Sequence, residues 1–188
     1  MPAQRQRWYV IQVQTEREQV MCQRIERICA EADLTRNEDD HLVDEVFTPR
    51  YKTRSKFHGE WQDVTKLLLP GYVIAASAHP DELRELLWKL PDFAHVLTMG
   101  ETFVPLRDEE RQWMDEWTHK GDRTVEMSVA VAKGDSWVIT EGPLKGREGM
   151  IVKVNRHKCL AVIEMQVGQL RVQTTVGLAI VPEEAAEA

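Results

Sequence analysis

The chain has 188 residues, of which 43% are hydrophobic and 29% are charged, and its formal net charge is -7 at a pI near 5.4. This length holds one ordinary domain, or a medium and a small one, and the absence of a long apolar run or a signal-peptide core predicts a cytoplasmic protein that enters no membrane. The acidic balance argues against nucleic-acid binding through bulk charge, yet residues 129–182 carry seven Lys or Arg against four Asp or Glu.

The N-terminal region begins with a strand and a helix. Residues 8–13, rich in β-branched and aromatic side chains, predict a buried strand. Thr15 and Glu18 have the spacing of a capping box, and the apolar positions that follow recur on one helical face. These positions are Met21, Ile25, Ile28, Cys29 and Ala32. Residues 45–49 predict a second strand, and residues 66–76 a third.

The next stretch repeats this alternation. A second helix is predicted to begin at Pro80, with acidic residues in its first turn, and a strand to follow at residues 94–97. A third helix is predicted over residues 108–119. The inward-facing side chains are Leu83, Leu86, Leu87 and Leu90 on the second helix and Trp113, Met114 and Trp117 on the third. The order β-α-β-β-α-β-α predicts an α+β, ferredoxin-like domain with helices on one face of an antiparallel sheet.

Residues 50–58 alternate basic and nonbasic side chains and predict one strand of a hairpin. The basic side chains would share one face, about 6.6 Å apart. They are Arg50, Lys52, Arg54, Lys56 and His58, with Tyr51 and Phe57 on the opposite face. Such a face suits a phosphate backbone, and the aromatic rings suit a splayed base. The alternative is a solvated hairpin that binds nothing.

The C-terminal region loses helical periodicity after a polar stretch at residues 122–128. Short β segments follow one another, at residues 136–139, 149–154, 160–165, 169–174 and 178–181. Five short strands in so few residues predict an SH3-like β-barrel. Between the first two of these strands lies a turn that contains three glycines and a proline.

Two groups of motifs resemble the NusG family of transcription factors. The turn Gly142-Pro143-Leu144-Lys145-Gly146, with Gly134-Asp135 before the first strand and Glu148-Gly149 before the second, resembles the KOW motif of that family. The segments Trp8-Tyr9-Val10, Val46-Phe47-Thr48-Pro49 and Leu69-Pro70-Gly71-Tyr72-Val73 resemble landmarks of its NGN domain. The resemblance implies an NGN domain at residues 1–121, a linker at 122–128, a KOW barrel at 129–182 and a tail at 183–188.

The resemblance also implies a transcription elongation factor that binds RNA polymerase. In the family, an apolar depression of the NGN domain grips the clamp helices of the polymerase. The matching residues here are Tyr9, Leu69, Pro70, Gly71 and Tyr72. An aromatic ring beside a proline offers rigid contact area, which is typical of interface hot spots. The alternative for Tyr9 and Tyr72 is that they are strand residues of the core.

One loop departs from housekeeping NusG proteins, in which an aromatic residue docks onto a ribosomal protein or onto the termination factor Rho. The matching loop, residues 165–169, carries Val167 instead of phenylalanine. This difference favours a specialised paralog, an operon-specific processive antiterminator of the RfaH or LoaP type. The C-terminal segment of RfaH folds as a helical hairpin in the free state, and the Val/Ile-rich, glycine-punctuated strands here oppose helix. The LoaP type is therefore the favoured interpretation.

The resemblance to LoaP implies recruitment by a hairpin in the nascent leader RNA. The basic residues on the turns and strands of the barrel are the candidate contacts, namely Lys145, Arg147, Lys153, Arg156, His157, Lys158 and Arg171. Positioned cations on a small barrel suit the phosphates of folded RNA, although charged turns are common in any barrel. Nontemplate or upstream DNA is the corresponding candidate ligand of the hairpin at residues 50–58.

Two further functions remain open at this point. One is a housekeeping NusG that couples the polymerase to the ribosome or to Rho, and the other is a ribosome-associated KOW protein that binds RNA without polymerase. Catalysis is not expected, because the six histidines are scattered and lack a nucleophilic partner at a recognisable spacing. The three widely spaced cysteines predict reduced thiols without a metal site. We expect a monomer without a cofactor.

Overall fold

The computed structural model describes residues 6–37, 40–90, 94–96, 98–99, 102–103, 105–134 and 136–183. The chain divides into two compact units. The first comprises residues 1–49, 69–112 and 167–169, and the second comprises residues 50–68, 113–166 and 170–188. No helix in the described ranges is long and apolar enough to cross a membrane.

The regular elements alternate in the N-terminal region and are almost all strands after the third helix. In chain order they are β1 (Arg7–Val13), α1 (Glu18–Asp33), β2 (Glu45–Phe47), β3 (Arg50–Phe57), β4 (Glu60–Leu67), β5 (Tyr72–Ser77), α2 (Pro80–Leu87), β6 (Ala94–Val96), β7 (Thr98–Met99), β8 (Thr102–Phe103), α3 (Asp108–Trp117), β9 (Thr124–Val125), β10 (Ser128–Lys133), β11 (Ser136–Glu141), β12 (Ile151–Asn155), β13 (Leu160–Val167) and β14 (Leu170–Val181). Short 3-10 turns lie at Glu148–Met150 and Arg156–Lys158.

The first unit is built on a four-stranded antiparallel sheet with the order β2-β5-β1-β6. The apolar run of β1 lies at the centre, where both strand edges are hydrogen-bonded. One face of β1, carrying Tyr9, Ile11 and Val13, packs in a single core cluster with apolar residues of α1 and α2. This strand order, with α1 and α2 on one face, confirms the predicted α+β, ferredoxin-like class.

The capping box predicted at Thr15 and Glu18 is wrong. The N-cap residue of α1 is Arg17, and no side chain caps the helix. Glu18 instead lies in the interior, 2% exposed, where its Oε1 accepts a 2.6 Å hydrogen bond from the backbone N–H of Gly71. The apolar face predicted for α1 is confirmed, because Met21, Ile25 and Cys29 all lie in the core.

The third predicted strand, residues 66–76, is two separate elements. Lys66 and Leu67 end β4, and β5 begins only at Tyr72. Between them the chain turns at Gly71, whose φ of +83° is accessible to glycine at little cost. The backbone N–H of Tyr72 donates to the carbonyl oxygen of Leu69 across this turn, at 3.2 Å. An apolar run alone could not reveal this break.

The second unit contains the predicted hairpin and the predicted barrel. Strands β3 and β4 pair over their full length and are joined by a two-residue turn at His58 and Gly59. Strands β10 to β14 form a five-stranded sheet with the order β11-β10-β14-β13-β12, which curls into a half-barrel consistent with the predicted class. Within the described residues between 128 and 183, every regular element is a strand or a short 3-10 turn.

Two details of the C-terminal strands differ from the sequence prediction. Strand β10 was not predicted, and it pairs in parallel with β14, with Ser128 opposite Leu178. The strands predicted at residues 169–174 and 178–181 form the single strand β14. Gly177 lies within this strand, where it allows a close approach between two backbones. Strands β11 and β12 lie at the two edges of the sheet, so the glycine-rich turn carries the chain from one edge to the other.

The residues predicted as a linker take part in strand pairing. Thr124 and Val125 form β9, which pairs in parallel with Arg50 and Tyr51 of β3. Ser128 already belongs to β10. The division of the chain into domains at residues 122–128 stays a prediction.

Candidate functional site

The residues predicted to contact the polymerase differ in their exposure. Tyr9 and Leu69 are buried, at 5% and 1% exposure, and Gly71 is buried as well. Pro70 is exposed and Tyr72 is half-buried. The surface of the Gly71 turn therefore consists of Pro70 and Tyr72, while Leu69 anchors the turn in the interior.

Tyr9 lines a cavity of about 400 Å³ in the first unit, together with residues of the segment from Ala78 to Glu82. Burial raises the pKa of the Tyr9 phenol, with a smaller opposing effect of Arg7 and a further rise from Asp81. The phenol is therefore neutral at physiological pH. In this structure Tyr9 is a core residue with an edge in a cavity.

The hairpin carries its cations on one face, as its alternation predicts, but most of them are engaged. Lys52 Nζ lies 2.5 Å from Glu126 Oε1, and Arg54 Nε lies 3.1 Å from Asp63 Oδ1, directly across the strand pair. His58 does not share this face, because β3 ends at Phe57 and His58 lies in the turn with a φ of +48°. Within the described chain, Lys56 is exposed and forms no ion pair.

The opposite face of the hairpin is buried at its base. Tyr51 is 3% exposed, and its hydroxyl lies 2.8 Å from the hydroxyl of Thr175. Thr53 donates a 3.0 Å hydrogen bond to the carbonyl oxygen of Cys159. Tyr51 therefore offers no surface to a splayed base, whereas Phe57 near the tip is 50% exposed.

The sequence reading missed Trp61. This side chain is 49% exposed and lies directly opposite Lys56 on the basic face of the hairpin. An exposed tryptophan beside an unpaired lysine is the combination that stacks a base and holds its phosphate. Pairing the residues outward from the His58–Gly59 turn could have placed Trp61 there, because a two-residue hairpin turn fixes the register.

The basic residues of the barrel fall into separate groups. Lys145 and Arg147 lie before β12, whereas Arg156, His157 and Lys158 form the exposed 3-10 turn after it. Strand β12 has five residues, so the two turns are about 17 Å apart. Arg147 is engaged in an ion pair with Glu116 and lies over the ring of Trp117, at 5.8 Å.

The larger group lies after β12. Lys153 is exposed on that strand, and the following turn is fixed by Asn155, whose Oδ1 accepts a 3.1 Å hydrogen bond from the backbone N–H of Lys158. Arg171 is exposed on β14 and lies 3.5 Å from a carboxylate oxygen of Glu164. The structure thus groups Lys153 with residues 156–158 and keeps Lys145 and Arg147 apart from them.

Comparison with known proteins identifies the family. The family model described as "Transcription termination factor nusG" matches residues 6–115, which is more than half of the chain. The chain belongs to the NusG family. A second family model, the KOW motif, matches residues 133–164, which contain the glycine-rich turn.

A solved structure shares the fold. A chain from the study titled "Domain interaction in Thermotoga maritima NusG" is similar with a TM-score of 0.57 and 20% sequence identity. The similarity covers 94% of the present chain and 95% of the Thermotoga maritima chain. No curated protein matches the sequence.

Members of the NusG family are non-enzymatic transcription elongation factors that bind RNA polymerase, which agrees with the prediction that the chain is not an enzyme. The described residues contain no group of His, Cys, Asp and Glu side chains that could hold a metal ion. Burial, followed by the nearby Asp33, raises the pKa of Cys29 to about 12, so this thiol is not a nucleophile at neutral pH.

Proposed function

We propose that this NusG-family elongation factor is a processive antiterminator of the LoaP type, recruited by a hairpin in the leader RNA of the operons that it controls. It acts in the cytoplasm as a monomer, binds the clamp helices of RNA polymerase and suppresses pausing and termination. Stabilising the closed clamp by about 1.4 kcal/mol shifts that equilibrium tenfold, so a modest interface suffices.

The observation that carries this proposal is that Val167 is both aliphatic and buried. Housekeeping members use an exposed aromatic residue at this position, whereas Val167, the last residue of β13, is aliphatic and only 3% exposed. The next residue, Gly168, donates its backbone N–H to Glu110 Oε2 at 3.0 Å. A buried aliphatic side chain at the end of β13 offers no anchor to the ribosome or to Rho, which favours a specialised factor.

The 3-10 turn Arg156–Lys158 supports recruitment through RNA. Three consecutive basic residues are exposed there and lie next to the exposed Lys153. The Asn155 cap holds the turn in one conformation, which lowers the entropic cost of binding. We propose that this turn contacts the phosphates of the leader hairpin, and that Lys145, at the other end of β12, does not.

Transcription in vitro with the cognate polymerase tests the proposal. We expect the full-length protein to increase readthrough of terminators only on templates that encode the leader. The double variant Arg156→Glu, Lys158→Glu should lose this effect and its binding to leader RNA, while it keeps its affinity for the polymerase. The single variant Lys145→Glu is the control from the opposite end of β12.

If the protein does not increase terminator readthrough on any leader template, the result argues against antitermination. A pull-down then separates the alternatives. Polymerase together with ribosomes or Rho indicates a housekeeping NusG, and ribosomes without polymerase indicate a ribosome-associated KOW protein. If Lys145→Glu weakens leader binding as strongly as the double variant does, general electrostatic attraction explains the binding and the turn has no special role.

A further inference from the structure

A cationic cavity of about 240 Å³ lies in the first unit, between the start of β1 and the start of α3. Three of its lining side chains are arginines, Arg7, Arg107 and Arg111, and its one acidic lining residue is Asp108. On a chain with a net charge of -7, this is a local excess of positive charge. None of these residues belongs to the polymerase surface, the hairpin or the barrel turns described above.

The wall of the cavity is held in place by the core. Trp8 is 6% exposed and packs edge-on against Phe47, with ring centres 5.2 Å apart. Its carbonyl oxygen accepts a 2.7 Å hydrogen bond from the backbone N–H of Leu106, which joins the two sides of the cavity. The guanidinium carbon of Arg111 lies 5.9 Å from the centre of the Trp8 ring. Arg111 is thus stacked on a rigid surface, and its position is defined before a ligand arrives.

A buried carboxylate, Glu110, is hydrogen-bonded to the backbone of one wall of the cavity. Glu110 is 5% exposed and does not line it. Its Oε2 accepts hydrogen bonds from the backbone N–H groups of Arg107, at 2.8 Å, and Gly168, at 3.0 Å. Asp108 is the acidic residue that lines this cavity, and Arg7 also lines the Tyr9 cavity together with Asp81 and Glu82.

We propose that this cavity binds a phosphate group of a nucleic acid or of a nucleotide. The planar fork of a guanidinium matches two phosphate oxygens, and arginine binds phosphate more specifically than a point charge does. The cavity is smaller than the roughly 300 Å³ at which pockets begin to hold whole drug-sized ligands, so it accommodates a phosphate group and its nearest atoms. The inference goes beyond the proposed function, because a free protein can bind phosphate without polymerase or leader RNA.

Calorimetric titration of the full-length protein at low salt tests this inference. The two probes are inorganic pyrophosphate and a short single-stranded oligodeoxynucleotide of mixed sequence. The test variants are Arg7→Glu and Arg107→Glu, which change exposed side chains and should keep the fold, as checked by circular dichroism. The control is Arg27→Glu on α1, where the side chain is 72% exposed and the change in charge is the same.

We expect Arg107→Glu to weaken the affinity for whichever probe the wild type binds by about tenfold or more. Arg27→Glu should keep that affinity within a factor of about two. If Arg107→Glu weakens pyrophosphate binding, the cavity binds small phosphorylated ligands. If Arg107→Glu weakens only oligonucleotide binding, the cavity binds the nucleic-acid backbone. The proposal is overturned if the wild type binds neither probe. It is equally overturned if Arg27→Glu weakens binding as much as Arg107→Glu.

Discussion

At the scale of the residue, Glu18 holds the Gly71 turn, which carries residues that we propose contact the polymerase. Its carboxylate is the acceptor for the buried N–H of Gly71, at 2.6 Å. We expect Glu18→Ala to destabilise the protein by about 1 to 3 kcal/mol, because a buried donor is left without a partner. The measurement is the midpoint of urea denaturation. Glu18→Gln keeps an acceptor oxygen and should therefore lose less stability than Glu18→Ala. Equal losses of stability in both variants would contradict this role of Glu18.

Tyr72 is the half-buried aromatic that follows the same turn. We expect Tyr72→Ala to weaken polymerase binding by about 1 to 3 kcal/mol, the usual effect of removing an anchoring aromatic side chain, and to leave the fold intact. The matched control is Trp88→Ala, which removes an aromatic side chain that is 65% exposed at the end of α2. Affinity for the polymerase, measured by surface plasmon resonance, decides the matter. An unchanged affinity would make Tyr72 a structural residue.

At the scale of the element, the β3–β4 hairpin has an exposed lysine and an exposed tryptophan side by side near its tip. Lys52 and Arg54 are neutralised by ion pairs, so Lys56 and Trp61 are the groups left for a ligand. We expect Trp61→Ala to weaken single-stranded DNA binding by about 1 to 3 kcal/mol, the contribution of one stacked base. Fluorescence anisotropy with a labelled oligonucleotide measures the change.

Two controls make the hairpin experiment specific. Trp88→Ala removes an exposed tryptophan that also lies beside an arginine, with Arg84 5.0 Å from the ring, but outside the hairpin. It should leave DNA binding unchanged. Phe57→Ala removes the exposed aromatic from the other face of the hairpin and should have a smaller effect than Trp61→Ala. Equal losses of DNA affinity in all three variants would show that the hairpin has no particular role in DNA binding.

The sequence predicts elements best where a pattern has a single physical cause. The apolar periodicity of α1 and the alternation of β3 each report burial, and both elements form where predicted. Glu18 was misassigned because a local capping pattern cannot reveal a partner such as Gly71, 53 residues away. Trp61 was missed because its place on the basic face follows from strand register, which the two-residue turn at His58 and Gly59 fixes. The exposure of Tyr9 and Leu69 likewise depends on packing that no local pattern encodes.

At the scale of the whole molecule, the second unit depends on contacts between segments that are distant in the chain. Gly177 of β14 passes so close to β3 that an added Cβ would overlap the carbonyl oxygen of Lys52 and lie 2.8 Å from Met127 Cγ. We expect Gly177→Ala to destabilise the protein by about 1 to 3 kcal/mol, because the two backbones must separate. Thermal unfolding measures the loss, and hydrogen exchange should quicken in residues 50–57.

The control for this substitution is Gly149→Ala. A Cβ at Gly149 meets no atom within 4 Å, and its φ lies outside the left-handed region. The stability of this variant should equal that of the wild type. If Gly177→Ala is equally harmless, the approach of β14 to β3 does not constrain the fold.

The pairing of β3 also has a consequence for the order in which the chain acquires its structure during synthesis. The hairpin can close as soon as residues 50–67 emerge, because its own strands are adjacent in sequence. The hydroxyl of Thr175 and the carbonyl of Cys159, which satisfy Tyr51 and Thr53, appear more than 100 residues later. Until then the inner face of the hairpin stays uncovered. A nascent chain of this protein therefore leaves Tyr51 and Thr53 without these partners for most of its translation, the stage at which chaperones protect unfinished β-proteins from association.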